Sequence, residues 1–435
     1  MDSFQTICLL NDSFPPQIDG VSNTVLNYAK NIETGGAHAM VVTPSHPKAE
    51  DYKYPFPIVR YPSVTFNKMD GYMAGIPFSP EVARAANQHR VSLLHSHCPI
   101  MSTFMARELR QVLDAPIVLT YHTKFDVDIA NIIKSKTLQS ASKKAIVSNI
   151  NACDEVWAVS RGAGENLRSL GYEGDYIVMP NGVDLPRKRV SDDKIKEATK
   201  DYSLPKDVPI YLYVGRMMWY KGIRLSVDAL ALLAKQGKDF RMIFIGEGDD
   251  LEEIKDYTET KGIEDKCVFA GAIRDREMLR AWYCRADLFL FPSSYDTNGL
   301  VVREAAACSL GAVLIKNSCA AEGVTDGRNG FLIDETAEAL SKCLLSLYDN
   351  KEKMHAVGQC ASEELYLSWE DSVKAAMERY EIVIDRYKRG FYPRHIKPME
   401  GFMKMNGELM DSLASISRKR KNKEYIRRFY YEICM

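Results

Sequence analysis

Short apolar runs that end in turn residues alternate with stretches of helical periodicity along most of this chain, and that alternation restricts the fold more than any other feature. "TICLLND" (Thr6 to Asp12) reads as a strand running into a turn, and from Val21 to Ile32 apolar residues recur at helical spacing. The unit returns at "HAMVVTP", at "SLLHSH" with the helical Ser102 to Leu113, at "PIVLTYHT", and at "EVWAVS" with Arg161 to Leu170, and closes on "YIVMPNGVD". Such a chain forms parallel strands joined by crossover helices, and ligands of an open parallel sheet bind beyond the carboxyl ends of its strands.

A polar, charged stretch from "PNGVDLPRKRVSDDK" to Pro209 interrupts the pattern and places a domain boundary near residue 187. A second series follows: "PIYLYVGR", "RMIFIGEG", "CVFAG", "ADLFLFPSS", "AVLIKN" and "GFLID", each with a helical stretch between it and the next or close by. The 435 residues suit two domains better than one core. The expected division is 1–187, 188–370, and a tail 371–435 that opens with a long helix, Trp369 to Tyr387. With 57 basic against 58 acidic residues the net charge is −1, so no global attraction for nucleic acid exists. Ten cysteines form no Cys-x-x-Cys pair, which argues against a zinc site or disulfide framework and for reduced thiols in the cytoplasm. No signal peptide and no apolar stretch of about 20 residues is expected, so the chain reads as soluble or peripheral.

The unusual residues gather at the predicted strand ends. Arg216 and Lys221 in "VGRMMWYKG" follow an apolar strand, where two cations suit a diphosphate, although taken alone they read equally well as solvated loop charges. Gly20 in "PPQIDGVSNT" lies at a helix start, where free backbone N–H groups admit an anion or where a helix simply begins. "IGEGDD" (Ile245 to Asp250) resembles a nucleotide-binding turn but lacks the full Gly-x-Gly-x-x-Gly pattern. His122 in "LTYHTKF" directly follows a strand and points toward the same space, whereas His95 and His97 read equally as packing residues. Asp126 to Asp128 has the Asp-x-Asp form of a metal motif, yet acids at a helix start are the plainer reading. In "SSYDTNGLVVREAAA" (Ser293 to Ala307), Asp296 and Glu304 stand eight residues apart with Gly299 between them.

Together, Gly20, His122-Thr123, Ser160, "PNGVD" with Asn181, Arg216 with Lys221-Gly222, and "DTNGLVVREA" fall in the order and spacing of the retaining GT-B glycosyltransferases of family four. The chain resembles that family over most of residues 5–385. The resemblance implies two doubly wound Rossmann-like α/β domains facing a cleft, with a C-terminal helix crossing back to the N-terminal, acceptor-binding domain and the basic extension packing there too. It implies that Asp296 meets the hydroxyls of the donor sugar and that Glu304 accepts both ribose hydroxyls, while backbone N–H groups of Asn298, Gly299 and Leu300 face the diphosphate. Arg216 and Lys221 would stabilise the leaving diphosphate, His122 would bind sugar or phosphate, and Asp126 is an acceptor-side candidate. No cofactor or metal is expected. The sequence has Asp at 296 where the family commonly has Glu.

The acceptor is read from charge. From Ile129 to Cys153 there is no acid, while Lys134, Lys136, Lys143 and Lys144 stand among apolar residues including Leu138, Ile146 and Val147. A second basic and aromatic segment runs from Arg418 to Tyr431. Such patches suit an anionic membrane surface. With "PPQIDGVSNT", "YHTKFD" and Thr-Asn-Gly, the chain most resembles the subgroup that glucosylates diacylglycerol. The expectation is transfer of a hexose, glucose by preference, from a UDP-sugar to a membrane lipid on the inner face of the plasma membrane. A soluble or polysaccharide acceptor, a nucleotide-sugar 2-epimerase and a non-enzymatic membrane module are the alternatives.

Overall fold

The computed structural model describes residues 5–17, 19–65, 73–126, 129, 133–205, 207–392 and 405. Its chain divides into two compact units. The first comprises residues 1–159, 163–179 and 372–435, and the second 160–162 and 180–371.

The first unit is built on a parallel sheet of strands β1 (Thr6–Leu10), β2 (His38–Pro44), β3 (Ile58–Tyr61), β6 (Val91–Ser96), β7 (Ile117–Tyr121), β8 (Glu155–Ala158) and β9 (Ile177–Val178), in the order β3-β2-β1-β6-β7-β8-β9; a small antiparallel pair, β4 (Ser63–Thr65) and β5 (Met73–Gly75), lies outside it. Strands β1 and β7 are buried along their whole length, as expected of parallel strands covered on both faces. The helix Trp369–Lys388 belongs to this unit from Ser372 onward. Val373, Ala376, Tyr380, Val383 and Ile384 form its buried face at helical spacing, and the Tyr380 ring stacks on Trp157 at 5.3 Å between centroids.

In the second unit, β10 (Ile210–Val214), β11 (Arg241–Ile245), β12 (Cys267–Phe269), β13 (Leu288–Phe291), β14 (Ala312–Ile315) and β15 (Phe331–Ile333) form a parallel sheet in the order β12-β11-β10-β13-β14-β15. Each sheet reverses its winding once, between β1 and β6 in the first unit and between β10 and β13 in the second. At such a reversal the loops beyond the strands diverge and leave room for a ligand.

The boundary expected at residue 187 lies earlier, after Met179. Residues 180–187 are tied into the second unit because Leu185 joins its apolar core, Val183 bridges to Ser368, and Asp184 pairs with Arg276. The polar composition that suggested the later boundary belongs to the segment after these anchors. Residues 160–162 also cluster with the second unit, since the Ser160 hydroxyl donates to the Thr297 carbonyl at 2.5 Å. All nine described cysteines are free.

Gly222 shows how tightly the reversal in the second unit is built. Its φ is +79°, and a β-carbon placed there would stand 1.9 Å from the carbonyl oxygen of Pro292. Gly222→Ala is expected to cost more than about 2 kcal/mol, since backbone strain alone reaches about 1–3 kcal/mol and a clash with main chain adds to it. A urea midpoint unchanged within error would contradict this account.

Candidate active site

The loops after β10 and β13 bring Lys221 and Asp296 together. Lys221 ends a short 3-10 turn, Trp219–Lys221, and Gly222 then takes the left-handed conformation from which the helix Ile223–Lys235 starts. Lys221 Nζ lies 2.5 Å from Asp296 Oδ1, and Asp296 Oδ2 accepts from the Ser293 hydroxyl at 2.7 Å. The rings of Tyr220 and Tyr295 flank the ammonium at 5.5 and 5.4 Å. Sequence reasoning gave these two side chains separate partners on a donor, whereas here they hold each other. Arg216 is exposed, its guanidinium 5.8 Å from the Tyr220 ring centroid.

Gly299 opens the helix Leu300–Ala307 at φ +60°, a value it holds readily for want of a β-carbon, and an added β-carbon would also press on Ala320 at 2.8 Å. No side chain caps this helix start, and the buried Nδ2 of Asn298 has no hydrogen-bond partner. Uncapped N–H groups at a helix N-terminus favour an anion. Asn181 is buried, with Oδ1 likewise unpartnered. The glycines of "IGEGDD" have a packing function instead: β-carbons at Gly246 and Gly248 would collide with the carbonyls of Gly215 and Met217 at 1.9 and 2.4 Å.

Glu304 is held by two residues that sequence reasoning missed. Arg276 Nη2 donates to Oε1 at 2.8 Å, and the Tyr283 hydroxyl donates to Oε2 at 3.0 Å. Both come from the helix Arg276–Arg285, seven residues and therefore two turns apart on one face, a spacing visible in the sequence. Arg276 also pairs with Asp184. Burial pushes the Glu304 carboxyl above its ordinary range, and Arg276 and Tyr283 work against that shift.

In the first unit, three histidines stand together at the ends of β6 and β7. His122 Nε2 lies 3.0 Å from His97 Nδ1 with the rings stacked, and His95 contacts the Tyr380 hydroxyl at 2.5 Å and the Thr120 hydroxyl at 2.7 Å. His97 Nε2 is buried without a partner. The pairing of β6 with β7 makes these residues neighbours. Burial pushes His122 down to about 3 and lowers His95 and His97 well below the usual imidazole range, keeping all three neutral.

Three features of this unit bear on the expectations for it. The N–H groups of Val21 and Ser22 after Gly20 are not free for an anion, because the Asp19 carboxylate caps both at 2.8 Å. Asp126 is engaged with the Asn166 amide at 3.0 Å, a structural partner, while Asp128 lies outside the described residues. The apolar side of the basic helix Lys136–Ile150 is used internally, with Ile146 and Val147 in the core and only Leu138 strongly exposed. Lys134, Lys136 and Lys144 are exposed, Lys143 is half-buried, and the segment 418–431 lies outside the described residues.

The sequence pattern of the family described as "Glycosyltransferase Family 4" matches residues 18–187, and that of "Glycosyl transferases group 1" matches residues 194–364. The chain belongs to the family-four glycosyltransferases. This assignment sets aside the non-enzymatic module. The glycosyltransferase is 24% identical over 387 residues to an alpha-monoglucosyldiacylglycerol synthase of Streptococcus pneumoniae, covering 86% of this chain and 85% of that one. It is 25% identical over 394 residues to a GDP-mannose-dependent alpha-mannosyltransferase of Corynebacterium glutamicum, covering 87% and 89%. Among solved structures, Anabaena HepE in complex with UDP is similar at a TM-score of 0.71 and 18% identity, over 87% of this chain and 100% of that one. The fold is GT-B, with two Rossmann-like domains.

The buried histidines link folding to pH. Their folded-state pKa values lie below the unfolded value of about 6.5, so the stabilisation is complete above that value and is lost as pH falls, at about 1.4 kcal/mol per pH unit for each imidazole. Urea unfolding of wild type and His122→Asn between pH 5 and 7 is expected to show the variant's pH slope reduced by up to one proton. Equal slopes would mean that His122 titrates normally in the folded protein.

Proposed function

We propose that this glycosyltransferase moves a hexose, with retention at the anomeric carbon, from a nucleotide sugar to a membrane lipid. The observation that carries the donor side is the assembly at the strand reversal of the second unit: Lys221 and Asp296 beside an uncapped helix start, with Glu304 held in that helix. Two cations and a helix N-terminus answer the negative charge of a diphosphate, and a carboxylate is the natural acceptor for a ribose diol. Donor binding exchanges partners: Lys221 turns to the diphosphate with Arg216, and Asp296 is released to the sugar hydroxyls. Backbone N–H groups of residues 298–300 face the same phosphates.

As the bond between the anomeric carbon and the diphosphate oxygen breaks, the acceptor hydroxyl attacks the same face. The electron pair of the broken bond leaves with the diphosphate, so negative charge grows there, where Arg216 and Lys221 oppose it, and the acceptor's proton passes to the departing oxygen. His122, neutral at ordinary pH, binds sugar or phosphate by hydrogen bonding. No metal is needed for this electrostatic work.

The similarity to a monoglucosyldiacylglycerol synthase supports glucose as the sugar and a lipid as the acceptor. Exposed Lys134, Lys136 and Lys144, together with Leu138, support an anionic surface as the place of work, mainly through charge because Ile146, Val147 and Ile150 of that helix are buried. No helix among the described residues is long and apolar enough to cross a membrane. A match of similar extent to a GDP-mannose-dependent enzyme carries a second reading, in which the donor is GDP-mannose. Turnover of UDP-glucose and GDP-mannose against diacylglycerol in vesicles decides between them.

Lys221→Ala and Glu304→Gln are expected to lower turnover about 30- to 1000-fold with the fold intact, the equivalent of losing one charged contact worth ~2–4 kcal/mol. Wild-type activity is expected to persist in excess EDTA. Near-normal turnover in either folded variant, or loss in EDTA restored by manganese, contradicts the donor-site reading.

Each Lys near an anionic surface contributes about 1 kcal/mol at low salt. Replacing Lys134, Lys136, Lys143 and Lys144 together by Gln is expected to weaken co-sedimentation with phosphatidylserine-containing vesicles while leaving nucleotide-sugar affinity unchanged. Equal vesicle binding by the variant points to a soluble acceptor.

A further inference from the structure

We propose that Arg276 is a positioning residue for the donor, turning the Glu304 carboxylate so that its two oxygens accept both hydroxyls of one ribose. The inference rests on the reading of Glu304 as the ribose acceptor. The last torsion of a glutamate is broad, so a single contact leaves the carboxylate plane free to rotate. Here each oxygen has its own donor, Arg276 Nη2 at 2.8 Å on Oε1 and the Tyr283 hydroxyl at 3.0 Å on Oε2. A carboxylate offers about four lone-pair sites, so one hydrogen bond to each oxygen leaves about one site per oxygen, which matches the two hydroxyls of a ribose.

The guanidinium is itself fixed. Asp275 caps the helix Arg276–Arg285 by accepting from the N–H groups of Glu277 and Met278, which sets where Arg276 stands. Nη2 carries two hydrogens and meets two carboxylates, Asp184 and Glu304. That double pairing locks the guanidinium plane in a way a lysine ammonium does not reproduce. Arg276 keeps 41% of its side chain exposed while Glu304 keeps 13%, so the arginine stands at the rim and the acid within. Apolar burial pushes the acid toward its neutral form, which accepts hydrogen bonds poorly, and the arginine opposes that change.

The test reads discrimination between ribose and deoxyribose, which a merely structural residue would not alter selectively. The probe is UDP or GDP, whichever binds the full-length wild type more tightly, against its 2′-deoxy form, measured by calorimetry. Wild type is expected to prefer the ribonucleotide at least tenfold. Arg276→Gln is expected to bring that ratio within about twofold, with Arg276→Lys and Asp184→Asn intermediate; if Arg276→Gln does not fold by circular dichroism, those two variants carry the test. Glu304→Gln separates the possibilities. If it loses the preference while every folded Arg276 and Asp184 variant keeps it, the positioning inference is overturned and the ribose reading stands. If Glu304→Gln keeps the wild-type preference, or wild type binds neither diphosphate, the ribose reading fails and the inference fails with it.

Discussion

The main chain of Gly222 presses against the carbonyl of Pro292, and the meeting of Lys221 with Asp296 depends on that approach. It fixes the loop after β10 against the loop after β13, so Lys221 and Asp296, 75 positions apart in sequence, meet at 2.5 Å. Gly215 and Gly246 repeat the device between the ends of β10 and β11. Positioning is thus done by backbone contact between strand ends rather than by long side chains.

Charges that are taken out of water here are consistently given partners. Asp154 accepts from Arg110 and from the Ile117 N–H, Glu155 holds Arg379, and Asp287 accepts from the Ile210 N–H. The Lys221–Asp296 pair follows the same logic, and in the proposed donor site an incoming ligand would replace each partner. A buried pair is costly to break by removing one member, since the other is left uncompensated. Exchange of each member onto a complementary group of an incoming molecule avoids that cost.

Strand and helix alternation was enough to read the doubly wound architecture, because parallel strands buried on both faces are continuous apolar runs whose ends are marked by turns. Lys221, Asp296 and Glu304 were legible for the same reason: each follows a predicted strand end or helix start. Arg276 and Tyr283 were not picked out, although their two-turn spacing is visible, because only the packing of one helix against another reveals that the shared face meets an acid. The meeting of His97 with His122 was not legible because it comes from the adjacency of β6 and β7, which is a property of strand order. At Gly20 the sequence left an anion site and a plain helix start open, and the residue before it, Asp19, is a strong helix cap.

The helix Trp369–Lys388 joins the first unit only after the whole of the second unit has passed in the chain. By residue 178 every described strand of that unit's sheet has been made, yet the Trp157 ring and His95 Nδ1 still lack Tyr380. On the ribosome, then, the entire second unit emerges before the first can close its core. The first unit closes its core only after the second has been synthesised, and at synthesis rates of about 5–20 residues per second the exposed indole waits for roughly ten seconds or more. A message that stops short of Tyr380 yields a second unit nearly complete in sequence and a first unit with an open face, the kind of surface by which chaperones and proteases recognise an unfinished chain.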